Sequence, residues 1–264
     1  MEGIIFPVII ISVAGIAAGL MLTVASKYMA VAVDERVTKV RDVLPGSNCG
    51  ACGFAGCDDY AEKVVEGNTK SNLCTPGGGA VALAIAGALG IAAEEVIPMT
   101  AAVKCSGTCD KTNHGIDYQG PPTCESCNFL YKGRGDCSYS CLGFGDCEKV
   151  CATHAIQMIS GIPVIDKELC NGCGMCSKAC PKAIIAVVPT DKNYYVGCSS
   201  RDKGGVVRKL CAAGCIGCKK CEKACEHGAI TVNNNLSAID HEKCVRCGKC
   251  AEEGLCPTGA IKTF

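Results

Sequence analysis

Tryptophan is absent from the 264 residues, aromatic side chains make up only 5%, and the formal charges cancel to zero. So few large rings exclude an interior built on aromatic packing. The balanced charge argues against a general polyanion binder, and no nucleic-acid-binding motif is present. No G-x-G-x-x-G follows a strand-like run, and Gly77-Gly78-Gly79 comes after a cysteine, where it reads as a turn rather than a phosphate cradle. Neither a nicotinamide nor a flavin site is expected in this chain. Ahead of the amino-terminal apolar run stands only Glu2. A cleaved secretory signal, which needs a basic flank and an apolar stretch of about 7–15 residues, is therefore not expected.

What the chain has in excess is cysteine, 26 residues, together with 32 glycines. A disulfide scaffold needs a short secreted domain, and this chain is too long for that class. Structural zinc usually shows two separated C-x-x-C pairs. Here the pattern is Cys170-x-x-Cys173-x-x-Cys176-x-x-x-Cys180-Pro181, the ligand spacing of a cubane 4Fe-4S cluster. Three thiolates wrap one cube, and the fourth, carried off on the following helical turn, serves a neighbour. Such sites replace part of a hydrophobic core. Folding of the cysteine-rich half is then coupled to cluster insertion.

From Gly3 to Ser26 no residue is charged. As a helix this run would extend about 36 Å against a hydrocarbon core of roughly 30 Å, so residues 1–27 are expected to anchor the chain in a membrane. Pro7 falls in the first turn, where its missing N–H costs little, and Gly15-x-x-x-Gly19 offers a flat face to another helix. Lys27, Arg36, Lys39 and Arg41 follow the span. That bias predicts a single-pass protein of the cytoplasmic (inner) membrane with its cysteine-rich region in the cytoplasm, a reducing compartment that suits thiolate clusters.

Residues 28–44 read as an amphipathic stalk closed by Leu44-Pro45-Gly46. Residues 45–100 form a glycine-rich four-cysteine domain with Cys49, Cys52, Cys57 and Cys74 spaced C-x2-C-x4-C-x16-C. Its glycines let backbone N–H groups approach sulfur. A zinc ion is the competing occupant. The apolar run Ala80–Ala93 is too short to span a membrane and reads as a buried helix. Residues 101–134 connect, and hold Cys105, Cys109, Cys124 and Cys127, a set that suits either a sixth cluster or a zinc ion. His114 in this stretch reads as a surface loop residue.

The rest is an internal repeat. Four times a motif-closing cysteine is followed by Ala-Ile: Cys151 with Ala155-Ile156, Cys180 with Ala183-Ile184, Cys225 with Ala229-Ile230, and Cys256 with Ala260-Ile261. Val164-Ile165-Asp166 before Cys170 and Ala238-Ile239-Asp240 before Cys244 read as returning strands of hairpins. The predicted unit pairs into two-cluster ferredoxin modules at 135–189 and 211–264, joined by a basic linker at 190–210. The crossing rule groups Cys137, Cys141 and Cys147 with Cys180; Cys170, Cys173 and Cys176 with Cys151; Cys215, Cys218 and Cys221 with Cys256; and Cys244, Cys247 and Cys250 with Cys225. The spacing Cys137-x3-Cys141-x5-Cys147 is stretched, and no proline follows Cys151 or Cys225. Cys198 and Cys211 are left over and read as ordinary buried thiols, with Cys211 an alternative to Cys215. The expected fold class is α+β: an amino-terminal transmembrane helix, a small four-cysteine domain and serial ferredoxin-like modules.

The anchor, the run LPGSNCGACGFAGCDDYAE with its distal Cys74 and PGGG, and the serial modules together resemble the B subunit of the Rnf complex across essentially the whole chain. The resemblance implies an iron–sulfur electron-transfer subunit of a membrane-bound ferredoxin:NAD+ oxidoreductase that exports sodium ions or protons. Reduced ferredoxin would be the donor, and NAD would bind on another subunit. Electrons would leave through the site at Cys49, Cys52, Cys57 and Cys74, nearest the anchor. Arg201, Lys203, Arg208, Lys209, Lys219, Lys220 and Lys223 outnumber Asp202 and Glu222, and this excess suits an acidic ferredoxin. Two rival readings are a wiring subunit of a membrane hydrogenase or heterodisulfide reductase, and a metal-dependent membrane scaffold or redox sensor.

Overall fold

The computed structural model describes residues 2–28, 34–191 and 194–263. Met1, residues 29–33 of the expected stalk, residues 192 and 193 of the expected linker, and Phe264 lie outside the described residues. Helix α1 (Glu2–Tyr28) contains the apolar span Val8–Lys27, none of which is buried against the rest of the chain. A helix whose charged residues, Glu2 and Lys27, stand only at its ends and whose apolar span has no protein cover has the length and composition to cross a bilayer.

Helix α2 (Glu35–Val43) starts at Asp34, whose carboxylate accepts the Arg36 N–H at 2.8 Å. It stops at Leu44, which Pro45 holds in an extended conformation. Helix α3 (Cys57–Val65) carries Asp58 and Asp59 in its first turn and Lys63 in its last, each complementing the helix dipole. Helix α4 (Gly78–Leu89) buries Ala82, Ile85 and Ala86, leaves Leu83 exposed, and ends at Gly90 in the left-handed conformation. The expected buried helix is thus present with one face covered. These helices close on a core of Val40, Leu44, Tyr60, Ala61, Val64 and Ile85 that also contains Cys57 and Cys74. The Arg41–Asp58 ion pair at 2.7 Å ties α2 to α3.

Strand β1 (Met99–Val103) opens the first strand-bearing unit, followed by helices α5 (Cys124–Tyr131) and α6 (Asp146–Lys149), hairpin strands β2 (Ile156–Ile159) and β3 (Ile162–Ile165), helix α7 (Met175–Ala179) and strand β4 (Ile185–Pro189). The second unit runs β5 (Tyr194–Val196), α8 (Gly204–Leu210), α9 (Lys220–Ala224), the hairpin β6 (Ile230–Asn233) and β7 (Leu236–Ile239), and β8 (Ile261–Thr263). Both hairpins form as the sequence predicts, with Ile156 opposite Ile165 and Ile230 opposite Ile239. They turn through Ser160-Gly161 and Asn234-Asn235, all four at positive φ, which matches the twist of a two-residue hairpin.

Two strands were not expected. β1 pairs antiparallel with β4 (Met99 opposite Pro189), and β5 pairs antiparallel with β8 (Tyr194 opposite Thr263). Each unit therefore begins upstream of position 135 or 211. Its outer strand comes from the stretch that the sequence assigned to a domain end or a linker.

Candidate metal centres

In the amino-terminal helical unit, extended Gly56 delivers Cys57 as the first residue of α3. The Asn48 side-chain oxygen accepts the Cys57 N–H at 2.8 Å and holds the Cys49 loop against that helix start. Cys74 is placed by Tyr60, whose hydroxyl donates to Lys70 O (3.0 Å) and accepts the Leu73 N–H (3.2 Å). Burial pushes the Tyr60 phenol up to about 12, so it remains a donor. Burial also raises the Cys74 thiol, and the neighbouring Cys57, Cys49 and Cys52 add to the effect. All four cysteines of this predicted set come together.

In the strand-bearing units the repeat becomes a local device. The third residue after each motif-closing cysteine has positive φ: His154, Ala183, Gly228 and Gly259. Its N–H donates to the carbonyl of that cysteine, at 3.1, 3.0, 3.2 and 3.1 Å respectively. This turn brings the Ala-Ile strand back beside the sulfur. Before two of the triplets, Asp166 and Asp240 each accept two backbone N–H bonds from the residues leading to Cys170 and Cys244. Glu148 and Glu222, each directly after a cysteine, accept the N–H of Met158 and Val232 and fix helix to hairpin.

Three expected groupings reappear. Cys215, Cys218, Cys221 and Cys256 line one cavity, and Cys225, Cys244, Cys247 and Cys250 line another. Cys151, Cys170 and Cys176 share an apolar core, and Cys173 is one of the close neighbours of Cys176. The fourth grouping differs. Cys141, Cys147 and Cys180 line a cavity with Cys124 rather than with Cys137. Cys137 instead faces Cys105, Cys198 and Cys211 across a further cavity.

The set Cys105, Cys109, Cys124 and Cys127 is accordingly separated. Cys105 and Cys124 go to the two cavities just named. The exposed Cys109 has its sulfur 2.6 Å from where a Cβ on Gly161 would stand, and Cys127 is fully buried beside Leu142. Cys198 and Cys211, read as spare thiols, line a cavity.

A register between the two units explains the regrouping. Cys141-Leu-Gly-Phe144-Gly-Asp-Cys147-Glu-Lys-Val-Cys151 aligns with Cys215-Ile-Gly-Cys218-Lys-Lys-Cys221-Glu-Lys-Ala-Cys225. Phe144 stands where the second unit has Cys218. Cys124, from an insertion between Cys105 and Cys137, lines that cavity in its place. Val103-Lys-Cys105-Ser matches Val196-Gly-Cys198-Ser in the same way, and this was the signal by which Cys198 could have been found.

Burial raises the Cys137, Cys147 and Cys250 thiols to about 11 and those of Cys141 and Cys176 to about 12. They become thiolates only against a positive charge such as iron supplies. At Cys256 burial also raises the pKa, but N–H groups of Thr258, Ala260 and Ile261 outweigh it and lower the net value. The Ala260 N–H lies 3.2 Å from that sulfur. Among the described residues no three His, Cys, Asp or Glu side chains converge on one point as a single ion requires. Zinc draws its thiolates to about 2.3 Å from one centre. Four sulfurs spread around a hollow lined by groups such as Leu142, Ile184, Val232 and Ile261 offer the all-thiolate set and dry lining that a 4Fe-4S cube takes.

Comparison with known proteins agrees with this chemistry. The FeS family model of an Fe-S cluster segment matches residues 44–76, a 4Fe-4S binding domain matches 163–186, and a 4Fe-4S dicluster domain matches 214–260. The chain is 39% identical to the B subunit of the Na+-translocating ferredoxin:NAD+ oxidoreductase complex of Acetobacterium woodii, over 99% of its length and 78% of the relative's. It is 42% identical to the B subunit of the proton-translocating ferredoxin:NAD+ oxidoreductase complex of Clostridium ljungdahlii, over 100% of its length and 94% of the relative's. With the B subunit of the ion-translocating oxidoreductase complex of Methanosarcina acetivorans it shares 40% identity over 94% of both chains. With cysteine sites, α+β fold and near full-length similarity in agreement, this chain belongs to the family of B subunits of ion-translocating oxidoreductase (Rnf) complexes.

Proposed function

We propose that this chain is the iron–sulfur electron-transfer subunit of a membrane-bound ferredoxin:NAD+ oxidoreductase that couples electron flow to translocation of Na+ or H+. The observation that carries the reading is the gathering of four cysteines at successive sites in a chain so similar to subunits whose names specify that reaction. The residues that would hold 4Fe-4S clusters are Cys49, Cys52, Cys57 and Cys74; Cys124, Cys141, Cys147 and Cys180; Cys151, Cys170, Cys173 and Cys176; Cys215, Cys218, Cys221 and Cys256; and Cys225, Cys244, Cys247 and Cys250. When bound, such clusters supply one-electron redox chemistry over a wide span of potentials.

The polypeptide positions the sulfurs, excludes water with apolar lining, and directs N–H groups at sulfur, which makes reduction easier. Helix α1 would anchor the chain in the cytoplasmic membrane, with Lys27, Arg36, Lys39 and Arg41 holding the remainder on the cytoplasmic side. Reduced ferredoxin would dock near Lys219 and Lys220, both exposed and adjacent to the exposed Cys218. NAD would be reduced on another subunit of the complex.

The test is anaerobic purification of the full chain with metal and sulfide analysis, followed by EPR during reduction by ferredoxin. Several reducible 4Fe-4S signals, and copurification with flavin-carrying and NADH-binding subunits, are expected. A colourless zinc protein would overturn the reading. Copurification with a hydrogenase would transfer it to that complex.

A further inference from the structure

Four of the cysteines outside the five sites above lie together between the two strand-bearing units, and each unit contributes an equivalent pair. Cys105 follows β1 as Cys198 follows β5, and Cys137 precedes Cys141 by the same interval at which Cys211 precedes Cys215. All four line one hollow, closed by Val207, Leu210 and Ala213. Donors to sulfur are already in place: the Cys141 N–H lies 3.4 Å from Cys105 Sγ, and the Ser200 N–H lies 3.4 Å from Cys198 Sγ.

The two units are pinned around this point. Ser199 Oγ donates to Lys104 O (2.9 Å), Thr112 Oγ1 donates to Leu210 O (3.0 Å), and the Ala212 N–H donates to Lys111 O (2.9 Å). A rigid junction around four sulfurs is what a shared inorganic group requires.

We propose that Cys105, Cys137, Cys198 and Cys211 hold a further 4Fe-4S cluster at the junction, making the two modules one continuous wire. The inference rests on the iron–sulfur reading above and deepens it by giving the sites an order. Cys221, Cys225 and Cys250 share a core, joining the two sites of the second unit. Cys198 of the junction packs with Cys215 and Cys256. Cys105 of the junction is bonded by the backbone of Cys141. Cys147 and Cys176 share the core of the first unit, and Lys178, two residues beyond Cys176, donates to Cys49 O at 2.6 Å. The order therefore runs from Cys225, Cys244, Cys247 and Cys250 at one end to Cys49, Cys52, Cys57 and Cys74, the set nearest α1 along the sequence, at the other. Without the junction the line breaks between the modules.

Iron and acid-labile sulfide per full-length chain, prepared anaerobically, test this directly. Six cubes require about 24 iron atoms and about six electron equivalents on reduction. The pair Cys109→Ser with Cys127→Ala, which removes the two cysteines left over, should keep about 24. Cys198→Ala with Cys211→Ala should keep about 20, with the EPR signals of the other sites retained. About 20 iron atoms in the unaltered chain, or loss of about four on replacing Cys109 and Cys127, would overturn the junction site and leave the wire reading intact. Zinc in place of iron would remove both. Should the Cys198 and Cys211 variant fail to fold, the unaltered count and the Cys109 and Cys127 variant still decide.

Discussion

Replacing Cys124 by alanine should remove one site, and placing a cysteine at Phe144 should restore it. Cys124 belongs to the cavity lined by Cys141, Cys147 and Cys180 only because Phe144 occupies the position that Cys218 fills in the second unit. Cys124→Ala alone should therefore lower iron by about four atoms per chain. Phe144 packs against the core that contains Cys124, and Phe144→Cys places a thiol at the position that Cys218 holds in the second unit.

The cost of that exchange can be bounded from what the ring touches. Its centroid lies 5.4 Å from that of Tyr118, and the Arg134 guanidinium sits 4.7 Å above it. The aromatic pair contributes about 0.5–1.5 kcal/mol and the cation–π contact about 0.5–1 kcal/mol. With roughly 1 kcal/mol of lost apolar burial the total is about 2–3.5 kcal/mol. That is smaller than the stability of an ordinary domain, about 5–15 kcal/mol, so the double variant should fold and its iron should be countable. Full iron in Cys124→Ala would refute the regrouping. So would loss of iron that Phe144→Cys does not recover in a chain that keeps its circular dichroism.

Tyr60→Phe leaves the Leu73 N–H without its acceptor and frees the loop to Cys74, at a cost of about 2 kcal/mol. The first site should then lose iron to a chelator roughly 30-fold faster, while the others bleach at unchanged rates; uniform bleaching would contradict the role given to Tyr60. Lys219→Glu with Lys220→Glu should slow reduction by ferredoxin about tenfold at low salt and flatten its salt dependence, and an unchanged slope would remove that docking face. Stripping all iron should abolish the hairpin signal in the strand-bearing units while α1 stays helical in detergent; an unaltered spectrum would show that the cores stand without metal.

What could be read from the sequence was whatever is written locally. The uncharged run that forms α1, the C-x-x-C triplets, and the Ala-Ile strands with their returning partners are each written in one continuous stretch of sequence. β1 and β5 escaped because MTAAV and YYV are short and carry no alternation. They are strands only because β4 and β8, far along the chain, offer a free edge. The grouping of Cys137 failed for a related reason. Spacing reports which thiols share a loop, whereas the partners of Cys137 arrive from the ends of β1, β5 and α8. The insertion carrying Cys124 hid the register between Phe144 and Cys218 that would have exposed the exchange.

The shortage of large rings and the excess of cysteine have one cause. Each strand-bearing unit has a core in which isoleucines and cysteines are interleaved: Ile156, Ile184 and Ile185 with Cys147 and Cys176, and Ile230 and Ile261 with Cys221 and Cys250. The side chains that keep water from a redox centre are thus the ones that hold the fold together. Trimming Ile184, fully buried beside the Cys124 cavity, would open a void costing roughly 1 kcal/mol as valine and several as alanine. The same void would admit water to sulfur and move the potential of that site. Stability and potential therefore respond to the same substitutions, and the sites most buried in these cores are those where a conservative change should alter electron transfer before it alters the fold.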